Sequence, residues 1–488
     1  MAKGIFVKKT IKSLLDEASE KGHGLKRSLG AVSLTAMGIG AIIGAGLFVL
    51  TGKAAAENAG PAVLLSFVLA ALICVFVALC YAEFASLIPI SGSAYSYAYA
   101  TMGELFAWII GWGLTAEYMF SASTVSVGWS GYFTSFLEDC GVNIPSFLAQ
   151  SPVAYDIVHG MTLTGAWMNL PAMGIVILIG GLVAVGIKAA ATFTDIMVAV
   201  KFLIIILFIA CGIAYIKADN LTPFIPDNTG IFGQFGYSGI LRGAGLIFFA
   251  FIGFDALSTL AQEARNPQKN LPIGMLASLG ISSTIYICVA IVLLGIVNYS
   301  QLGVPDPFAV AVNALGSHFV WLRFVIKFLI MISMTTVILV MLIGQTRIFY
   351  TMAHDGLLPK AFGKINDQLR TPFFTTCIVT LICILLAGIF PVGLLGNMTV
   401  MGTLLAFAIV CFGVLLLRYK QPTLHRPFKT PFVPWIPLAG TLACLFQLIL
   451  FPGVSWLQFI IWMVIGCIIY FTFGIKNSFA RHKRVPKK

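Results

Sequence analysis

The chain has 488 residues, of which 59% are hydrophobic and only 10% are charged, and its formal net charge is +12. Soluble domains carry about 25% charged residues. A soluble protein this apolar would lack the polar side chains needed to cover its surface, so the composition excludes an ordinary soluble domain. The net charge alone would also fit a nucleic-acid-binding protein, which makes the positions of the basic residues important.

Long apolar runs alternate with short segments rich in Pro, Gly, Asn or charge along nearly the whole chain. A helix that crosses a bilayer needs roughly 20 apolar residues, and each run is close to that length or longer. The sequence therefore predicts an all-α membrane protein with about twelve transmembrane helices. The runs cover residues 29–50, 61–88, 100–136, 170–187, 192–216, 238–260, 272–297, 319–350, 373–390, 395–417, 431–451 and 455–475.

A tail precedes the first run and another follows the last. Residues 1–28 contain lysines and acids but no apolar core, so they differ from a cleaved signal peptide. The apolar side chains between the lysines of residues 5–15 fit a short amphipathic helix on the membrane surface, and a solvated tail fits equally well. Residues 476–488 form a second, basic tail.

Basic residues lie unequally on the two sides of the predicted helices. If residues 1–28 are cytoplasmic, 23 of the 30 lysines and arginines fall in cytoplasmic segments, and only Lys53 and Lys217 fall in outside segments. The positive-inside rule describes this asymmetry, so we predict a multi-pass plasma-membrane protein with both termini cytoplasmic. The net charge is then explained by contact with anionic lipid, and we expect the bilayer, not a nucleic acid, as a partner.

Motifs of catalysis and metal binding are missing. The sequence has no HExxH, no paired CxxC and no GxSxG. Nine of the ten cysteines lie in apolar runs, and Cys140 has no partner in its loop, so they do not form a disulfide framework. We therefore expect no enzyme activity, no metal site and no cofactor.

Glycines interrupt two of the runs. The first run contains GIGAIIGAG at residues 38–46, and the sixth contains Gly239, Gly243, Gly245 and Gly253. Glycine lowers helix propensity by about 1 kcal/mol relative to alanine, which favours a broken helix. It also lets another helix approach closely, so a packing role remains an alternative.

The two glycine-rich runs are five runs apart, and this spacing is informative. Corresponding interrupted helices in two halves of a membrane protein indicate a transporter built from inverted repeats. We therefore predict a first repeat at 29–216, a second at 238–418, and two appended helices at 431–475.

Three ionisable residues lie deep in the runs, where charge is costly and marks a functional site by default. Lys201 follows Asp195 by nearly two turns and must find carbonyls or a carboxylate, or lose its proton. Glu117 and Asp255 are the deep acids. Each can receive a cationic substrate or a proton, and each can instead pair only with backbone or with Lys201.

The other charges within the runs lie near their ends. For the basic ones we expect side chains that reach the membrane surface, and for the acids we expect structural pairing. The basic residues are Arg242, Arg323, Lys327 and Arg347, and the acids are Glu83 and Glu104.

Four segments resemble the amino acid–polyamine–organocation (APC) superfamily, and in particular its cationic amino acid transporter branch. They are GIGAIIGAGLFVLTG at 38–52, YAEFASLIPISGSAYSY at 81–97, FFAFIGFDALSTLAQEARNPQKNLPIGM at 248–275 and GQTRIFYTMAHDGLLP at 344–359. The resemblance runs from about residue 25 to residue 419. Eukaryotic members of this branch usually have two more helices, so the resemblance implies a bacterial member.

The resemblance implies the LeuT-like fold, with two intertwined inverted repeats and broken helices 1 and 6. It implies secondary active transport of L-α-amino acids by alternating access. The substrate carboxylate would meet the amides of Gly44, Ala45 and Gly46, where a half-helix begins. The α-ammonium would meet carbonyls of Ile42, Phe249 and Ile252, and Phe249 matches the aromatic gate of relatives.

The resemblance also concerns coupling and selectivity. Lys201 matches a lysine that replaces a sodium ion in sodium-independent members, which favours proton coupling, with its amine near Gly40. Glu117, Asp255 and the apolar Met331 would shape the side-chain pocket. Cationic and small neutral amino acids both fit, with alanine, arginine and lysine as candidates.

Three mechanisms stay open. The first is a proton-coupled symporter, the second is a sodium-independent amino acid exchanger of the same fold, and the third is a receptor-like protein that binds amino acids without transport. A small single-span membrane protein is a possible partner.

Overall fold

The computed structural model describes residues 4–11, 13–14, 29–90, 92–156, 160–185, 190–261, 264–316, 319–366, 368–369 and 371–482, with only the backbone of 156, 190–198 and 482. Much of the predicted tails at 1–28 and 476–488 therefore lies outside the described residues. Within the described residues the fold is mostly helical, as the sequence predicts.

The principal helices follow the predicted runs. They are α1 (Ala31–Ile42), α2 (Val63–Leu87), α3 (Ser93–Thr101), α4 (Glu104–Asp139), α5 (Leu170–Val185), α6 (Ala190–Gly212), α7 (Gly236–Phe248), α8 (Pro267–Ile296), α9 (Pro307–Ala314), α10 (Val320–His354), α11 (Phe373–Ile389), α12 (Val392–Lys420), α13 (Trp435–Ile449) and α14 (Gly453–Ile469). Short helical segments complete the chain at Gly46–Leu50, Thr51–Ala54, Ala55–Ala59, Gly60–Ala62, Ser146–Ala149, Ile213–Tyr215, Ala218–Leu221, Phe249–Phe251, Asp255–Leu260, Tyr299–Gln301, Lys360–Gly363, Tyr470–Gly474, Ile475–Asn477 and Phe479–His482.

Six helical stretches are long and apolar enough to cross a membrane, counted over the described residues. Four shorter apolar helices accompany them. The six stretches are Ala31–Leu87, Gly236–Leu260, Pro267–Ile296, Val320–His354, Val392–Lys420 and Gly453–Asn477, and the shorter helices are Leu170–Val185, Ala199–Tyr215, Phe373–Ile389 and Trp435–Ile449.

The surface of these helices is apolar where a soluble protein would be polar. Leu381 on α11, Ile449 at the end of α13 and Leu457 on α14 each expose more than half of their surface. Polar side chains such as Glu117 and Ser123 are instead fully buried on α4. This distribution fits a protein whose outer helices face lipid and whose polar groups face the bundle interior.

The core is organised around α4, the longest helix. It packs along α10 and α12, while α8 packs along α1 and α2. Where α4 crosses α12, a side chain at Gly402 would approach the Gly113 carbonyl oxygen to 2.7 Å, so glycine lets the two backbones meet.

One element departs from the predicted all-α class. Strands β1 (Val153–Asp156) and β2 (Gly160–Leu163) form an antiparallel hairpin in the loop between α4 and α5. The second strand alternates apolar and polar residues at Met161, Thr162 and Leu163, and Pro152 and Gly165 flank the pair, which is typical of a hairpin. The apolar runs on either side are so much longer that this signal is easily missed.

The structure confirms one predicted role of the charges near helix ends and contradicts another. Glu83 is buried and accepts from Arg418 Nε at 2.9 Å and Nη2 at 2.8 Å, so structural pairing is confirmed. The expectation that Lys327 reaches the membrane surface is wrong. Lys327 is 1% exposed and pairs with Asp139 at 2.5 Å, which Arg323 also approaches at 3.6 Å. A lysine that finds a carboxylate within the bundle has no need to reach water.

The described start of the chain is packed against the bundle. The Glu104 amide donates to the Val7 carbonyl at 2.9 Å, and Lys9 forms an ion pair of 2.7 Å with Asp355 at the end of α10. Residue 12 and residues 15–28, which the two predictions for this tail also concern, lie outside the described residues. Residues 11, 13 and 14 are helical.

Candidate functional site

The first interrupted helix breaks at Ile43 and Gly44, which we call the first break. Helix α1 ends at Ile42, and Ile43 is extended, with φ −74° and ψ 106°. The amides of Leu47 and Phe48 then both donate to the Gly44 carbonyl, at 3.1 and 3.2 Å. A new helical segment therefore begins at Gly44. The leading amides of a helix have no acceptor within it and form its positive end.

The second interrupted helix breaks at Ile252 and Gly253, the second break. Helix α7 continues through the turn Phe249–Phe251, after which Ile252 is extended and Gly253 has a φ of +122°. Such a φ favours glycine strongly. The chain then resumes as Asp255–Leu260. The carbonyl end of one helical segment and the amide end of another therefore lie next to each other here, as they do at the first break.

The two breaks are in contact. A Cβ added at Gly46 would lie 2.2 Å from the Cα of Ala250, and one added at Gly253 would lie 2.9 Å from the carbonyl carbon of Ala41. Glycine is thus required on both sides because backbone meets backbone. The sequence offered two explanations for these glycines, a broken helix and close packing, and both apply at these positions.

The remaining glycines of the sixth run serve packing alone. Helix α7 is continuous through Gly239, Gly243 and Gly245. A Cβ at Gly239 would lie 2.1 Å from the Asn58 carbonyl oxygen. Only Gly253 coincides with a change of backbone direction, which the sequence pattern did not distinguish.

Lys201 lies against the first break. Its side chain is 1% exposed, and its Nζ donates to the Ile43 carbonyl at 2.8 Å and to the Gly40 carbonyl. These carbonyls belong to the end of α1, where the helix leaves oxygen atoms without intrahelical donors. An ammonium group there satisfies two of them and ties α6 to the first break.

Tyr286, on α8, bridges the two breaks and was missed in the sequence. Its hydroxyl lies 2.9 Å from the Ile42 carbonyl oxygen and 2.7 Å from the Ala250 carbonyl oxygen. A tyrosine hydroxyl has one proton, so it can donate fully to only one of the two carbonyls at a time. The available signal was a tyrosine amid apolar residues, because a buried hydroxyl requires a partner.

We predict that Tyr286→Phe lowers the thermal midpoint of the purified protein, since both carbonyls lose their shared donor. A buried hydrogen bond of this kind contributes about 1 kcal/mol, and buried groups left unpaired cost about 1–3 kcal/mol. The matched control is Tyr81→Phe, because the buried Tyr81 hydroxyl has no hydrogen-bond partner among the described residues. Equal midpoints for the two variants in a thermal-shift assay would contradict the bridging role.

The predicted side-chain pocket residues are all buried. Phe249 lies at the second break with 5% exposure, and Met331 on α10 has 7%. Glu117 on α4 is fully buried, and neither of its carboxylate oxygens has a hydrogen-bond partner among the described residues. Asp255 accepts from the Gly253 amide at 3.2 Å with one oxygen and leaves the other unpaired there. Neither acid forms an ion pair with Lys201 within the described chain.

Two buried carboxyl groups with spare oxygens are costly unless something pairs with them. Glu117 and Asp255 are also electrostatic neighbours of each other. A protonated carboxyl group or a cationic ligand group would relieve this cost. Within the described residues, no group of three or more His, Cys, Asp or Glu side chains is arranged to hold a metal ion.

The arrangement matches the chemistry of a zwitterion. The amide ends of the helical segments offer donors to a carboxylate, and their carbonyl ends offer acceptors to an ammonium group. Both kinds of end lie side by side where the two breaks meet, in a buried contact of four helical ends. The class defined by this fold is a polytopic membrane protein with a site formed at two broken helices.

Comparison with known proteins identifies the family. The model of the amino acid permease family matches residues 29–475, and the chain belongs to this family of the APC superfamily. Its members here are transporters, so the prediction that the chain is not an enzyme is confirmed.

Individual relatives extend over nearly the whole chain. The chain is 43% identical over 479 residues to the branched-chain amino acid permease BcaP of Bacillus subtilis, covering 98% of this chain and 99% of that protein. It is 41% identical over 474 residues to a methylthioribose transporter of the same organism, covering 97% and 98%. A vacuolar cationic amino acid transporter of Arabidopsis thaliana is 36% identical over 414 residues, covering 84% of this chain and 62% of the plant protein.

Proposed function

We propose that this chain is a secondary active transporter of L-α-amino acids that works by alternating access in the plasma membrane, coupled to protons. The observation that carries the proposal is the contact of the two breaks. Gly46 touches Ala250 and Gly253 touches Ala41, so one small site joins two interrupted helices. Relative movement of the parts that meet here would open the site to one side of the membrane or the other.

The substrate head, which consists of the carboxylate and α-ammonium groups, would bind to backbone atoms of the two breaks. The amides of Gly44, Ala45 and Gly46 would hold the carboxylate at the positive end of a helical segment. The α-ammonium would take the carbonyls of Ile42, Phe249 and Ile252. A carbonyl oxygen has two lone pairs, so the Ile42 carbonyl can accept from both Tyr286 and substrate. Phe249 would be the gate.

The side chain of the substrate would extend towards Glu117, Asp255 and Met331. The acids favour a cationic side chain such as that of arginine or lysine, and Met331 favours a small neutral one such as that of alanine. The relatives add a branched-chain amino acid and methylthioribose as candidates. Methylthioribose has no carboxylate or ammonium group, so the helix ends would give it no charged contacts.

We predict that Met331→Ser widens the range of substrates towards longer side chains. A change of about one methylene in a pocket is worth roughly 1–3 kcal/mol, so relative uptake of arginine over alanine should rise about tenfold or more. The control is Met334→Ser on the same helix, because Met334 packs near Gly128. An unchanged substrate profile in Met331→Ser would remove α10 from the pocket.

The fold that we propose has twelve transmembrane helices. Two inverted five-helix repeats, at 29–216 and 238–418, would place the two breaks in equivalent positions, followed by two further helices at 431–475. The presence of one break in each half supports this arrangement. A single-span partner subunit remains part of the proposal without a residue assigned to it.

We predict that both termini are cytoplasmic. In a variant that keeps only Cys140 of the native cysteines, an impermeant thiol reagent should label intact cells, because Cys140 is exposed in a predicted outside loop. Cysteine introduced at Lys476 should be labelled only after permeabilisation. Labelling of the Lys476→Cys site in intact cells would contradict this topology.

Purified protein in liposomes tests the function directly. Labelled L-alanine, L-leucine, L-arginine and methylthioribose are supplied outside. A symporter accumulates its substrate in empty vesicles under an inward proton gradient. The alternative, a sodium-independent exchanger, requires substrate inside the vesicles. Binding without movement would indicate a receptor, and transport of methylthioribose alone would overturn the amino acid assignment.

A further inference from the structure

A second pocket lies beside the outer parts of the two interrupted helices. Its volume is about 530 Å³, including the part open to solvent. We call it the outer pocket. The residues that matter here are Lys53, Glu57, Asn58, Arg242, Leu246 and Asn397, contributed by the segment after the first break, by α7 and by the start of α12.

Arg242 carries an unpaired charge in this pocket. Its Nη1 donates to the Phe232 carbonyl at 3.1 Å, and no carboxylate lies within ion-pair distance of it in the described part of the chain. A guanidinium group has five N–H donors in a fork that fits a carboxylate. Arg242 lines the pocket, and the hydrogen bond that it makes within the described residues uses Nη1.

The pocket also contains an ion pair of its own. Lys53 and Glu57 lie 2.5 Å apart, and the side chain of Glu57 is 40% exposed. A partly exposed pair one helical turn apart is stabilised only weakly, because water competes for both charges. A ligand with its own charges can therefore replace it at small cost. The outer pocket thus offers two positive groups and one negative group to a ligand.

One apolar residue of the pocket lies close in the chain to the candidate site. Leu246 lies on α7 about one turn before Phe249. A Cβ at Gly396 would lie 3.5 Å from Leu50 and 3.9 Å from Leu246, so apolar side chains from both interrupted helices approach α12 at the same place. Leu246 therefore lines the outer pocket and lies close in the chain to Phe249, which we assign as the gate.

We propose that the outer pocket is a second binding site for the zwitterionic head of an α-amino acid, occupied before the ligand reaches the two breaks. The carboxylate contacts Arg242 and Lys53, and the ammonium group contacts Glu57. Recognition is confined to the head, so the site accepts amino acids with different side chains. This inference rests on the proposed function, because it places the site on the route to the two breaks.

Equilibrium binding of radiolabelled L-alanine to the purified protein tests the proposal. The wild type should bind about two molecules, one at the breaks and a weaker one in the outer pocket. Arg242→Gln should lose the weaker phase, with its affinity falling about tenfold or more, as expected for a charge-assisted contact. Lys217→Gln, which removes an exposed lysine outside the pocket, should keep both phases.

A competitor separates head recognition from simple anion binding. Propionate has the carboxylate of alanine without its ammonium group. It should compete at the outer pocket at least about tenfold more weakly than alanine, since the Glu57 contact is missing. In Glu57→Gln, which changes a partly exposed side chain and spares the fold, this difference should vanish. Equal competition by propionate and alanine in the wild type would overturn the zwitterion assignment.

The failure of this inference is distinguishable from failure of the proposed function. Gly46→Val removes the site at the breaks and should leave only the weaker phase. A wild type with one phase that Arg242→Gln and Glu57→Gln leave intact contradicts the outer pocket. Binding that Gly46→Val leaves unchanged, while Arg242→Gln abolishes it, supports the outer pocket and contradicts the site at the breaks.

Discussion

Gly46→Val is expected to abolish amino acid binding at the two breaks while the protein still inserts into the membrane. A Cβ at this position would lie 2.2 Å from the Cα of Ala250 and 2.7 Å from its nitrogen. Neither atom belongs to a flexible side chain, so the two breaks would have to separate. Valine would also occupy the space in front of the amides that we assign to the carboxylate.

The expected loss is large. Each charge-assisted hydrogen bond to a carboxylate is worth about 1.5–3 kcal/mol. Losing two of them corresponds to a loss of affinity of about a hundredfold or more. Radioligand binding and thermal shift with substrate measure this effect on protein purified from membranes.

The matched control is Gly280→Val. Gly280 lies in the middle of α8, is exposed on the helix surface, and has no heavy atom within 4 Å of an added Cβ. It makes the same exchange of glycine for valine without the collision. Wild-type affinity in Gly46→Val, or an equal loss in Gly280→Val, would show that the site does not lie at the breaks.

Lys201→Ala is expected to lose uptake driven by a pH gradient. The charged amine donates to the carbonyls of Gly40 and Ile43 and ties α6 to the first break. Loss of the proton would weaken this tie and let the bundle move around the site. Coupling requires that the proton be held differently in the outward-open and inward-open states, because a proton bound equally in both shifts nothing.

Exchange should be affected less than accumulation. The substrate contacts that we assign are mostly backbone groups, so Lys201→Ala should retain part of its exchange of internal for external amino acid. Uptake by the wild type should not depend on sodium, since the lysine would stand in place of a bound cation. Full pH-driven accumulation by Lys201→Ala, or strict sodium dependence of the wild type, would each contradict this mechanism.

Two further lysine substitutions sharpen the test. Lys201→Arg keeps a positive charge but cannot release its proton under physiological conditions, so it should also lose pH-driven uptake. Lys217→Ala, at an exposed position, should behave as the wild type. Normal proton coupling in Lys201→Arg would show that release of this proton is not part of the cycle.

Several features of the candidate site were predictable from local sequence. The glycines at 38–46 and Gly253 predicted interrupted helices, and the backbone is interrupted at the first and second breaks. Lys201 was predicted to need carbonyls or a carboxylate, because an ammonium group in an apolar helix cannot remain without partners. Each of these inferences used only the residues of one run and the cost of glycine or charge within it.

Other features depended on which helices pack against each other. Tyr286 reaches Ile42, 244 residues away in the chain, and Lys327 finds Asp139, 188 residues away. No periodicity within a single helix specifies such pairs. The expectation that Lys327 reaches the membrane surface was wrong for that reason, since its partner lies on α4.

The sequence by itself determined that lipid surrounds the helices of this protein, and it determined the class to which the protein belongs. Burial of apolar helices in lipid and the bias of basic residues depend on composition and order along the chain, and both can be read locally. Only the tertiary structure decided that the two breaks touch, that Tyr286 serves carbonyls of both, and that Lys53, Glu57 and Arg242 line one pocket. These are contacts between distant segments, and they are set by the packing of whole helices.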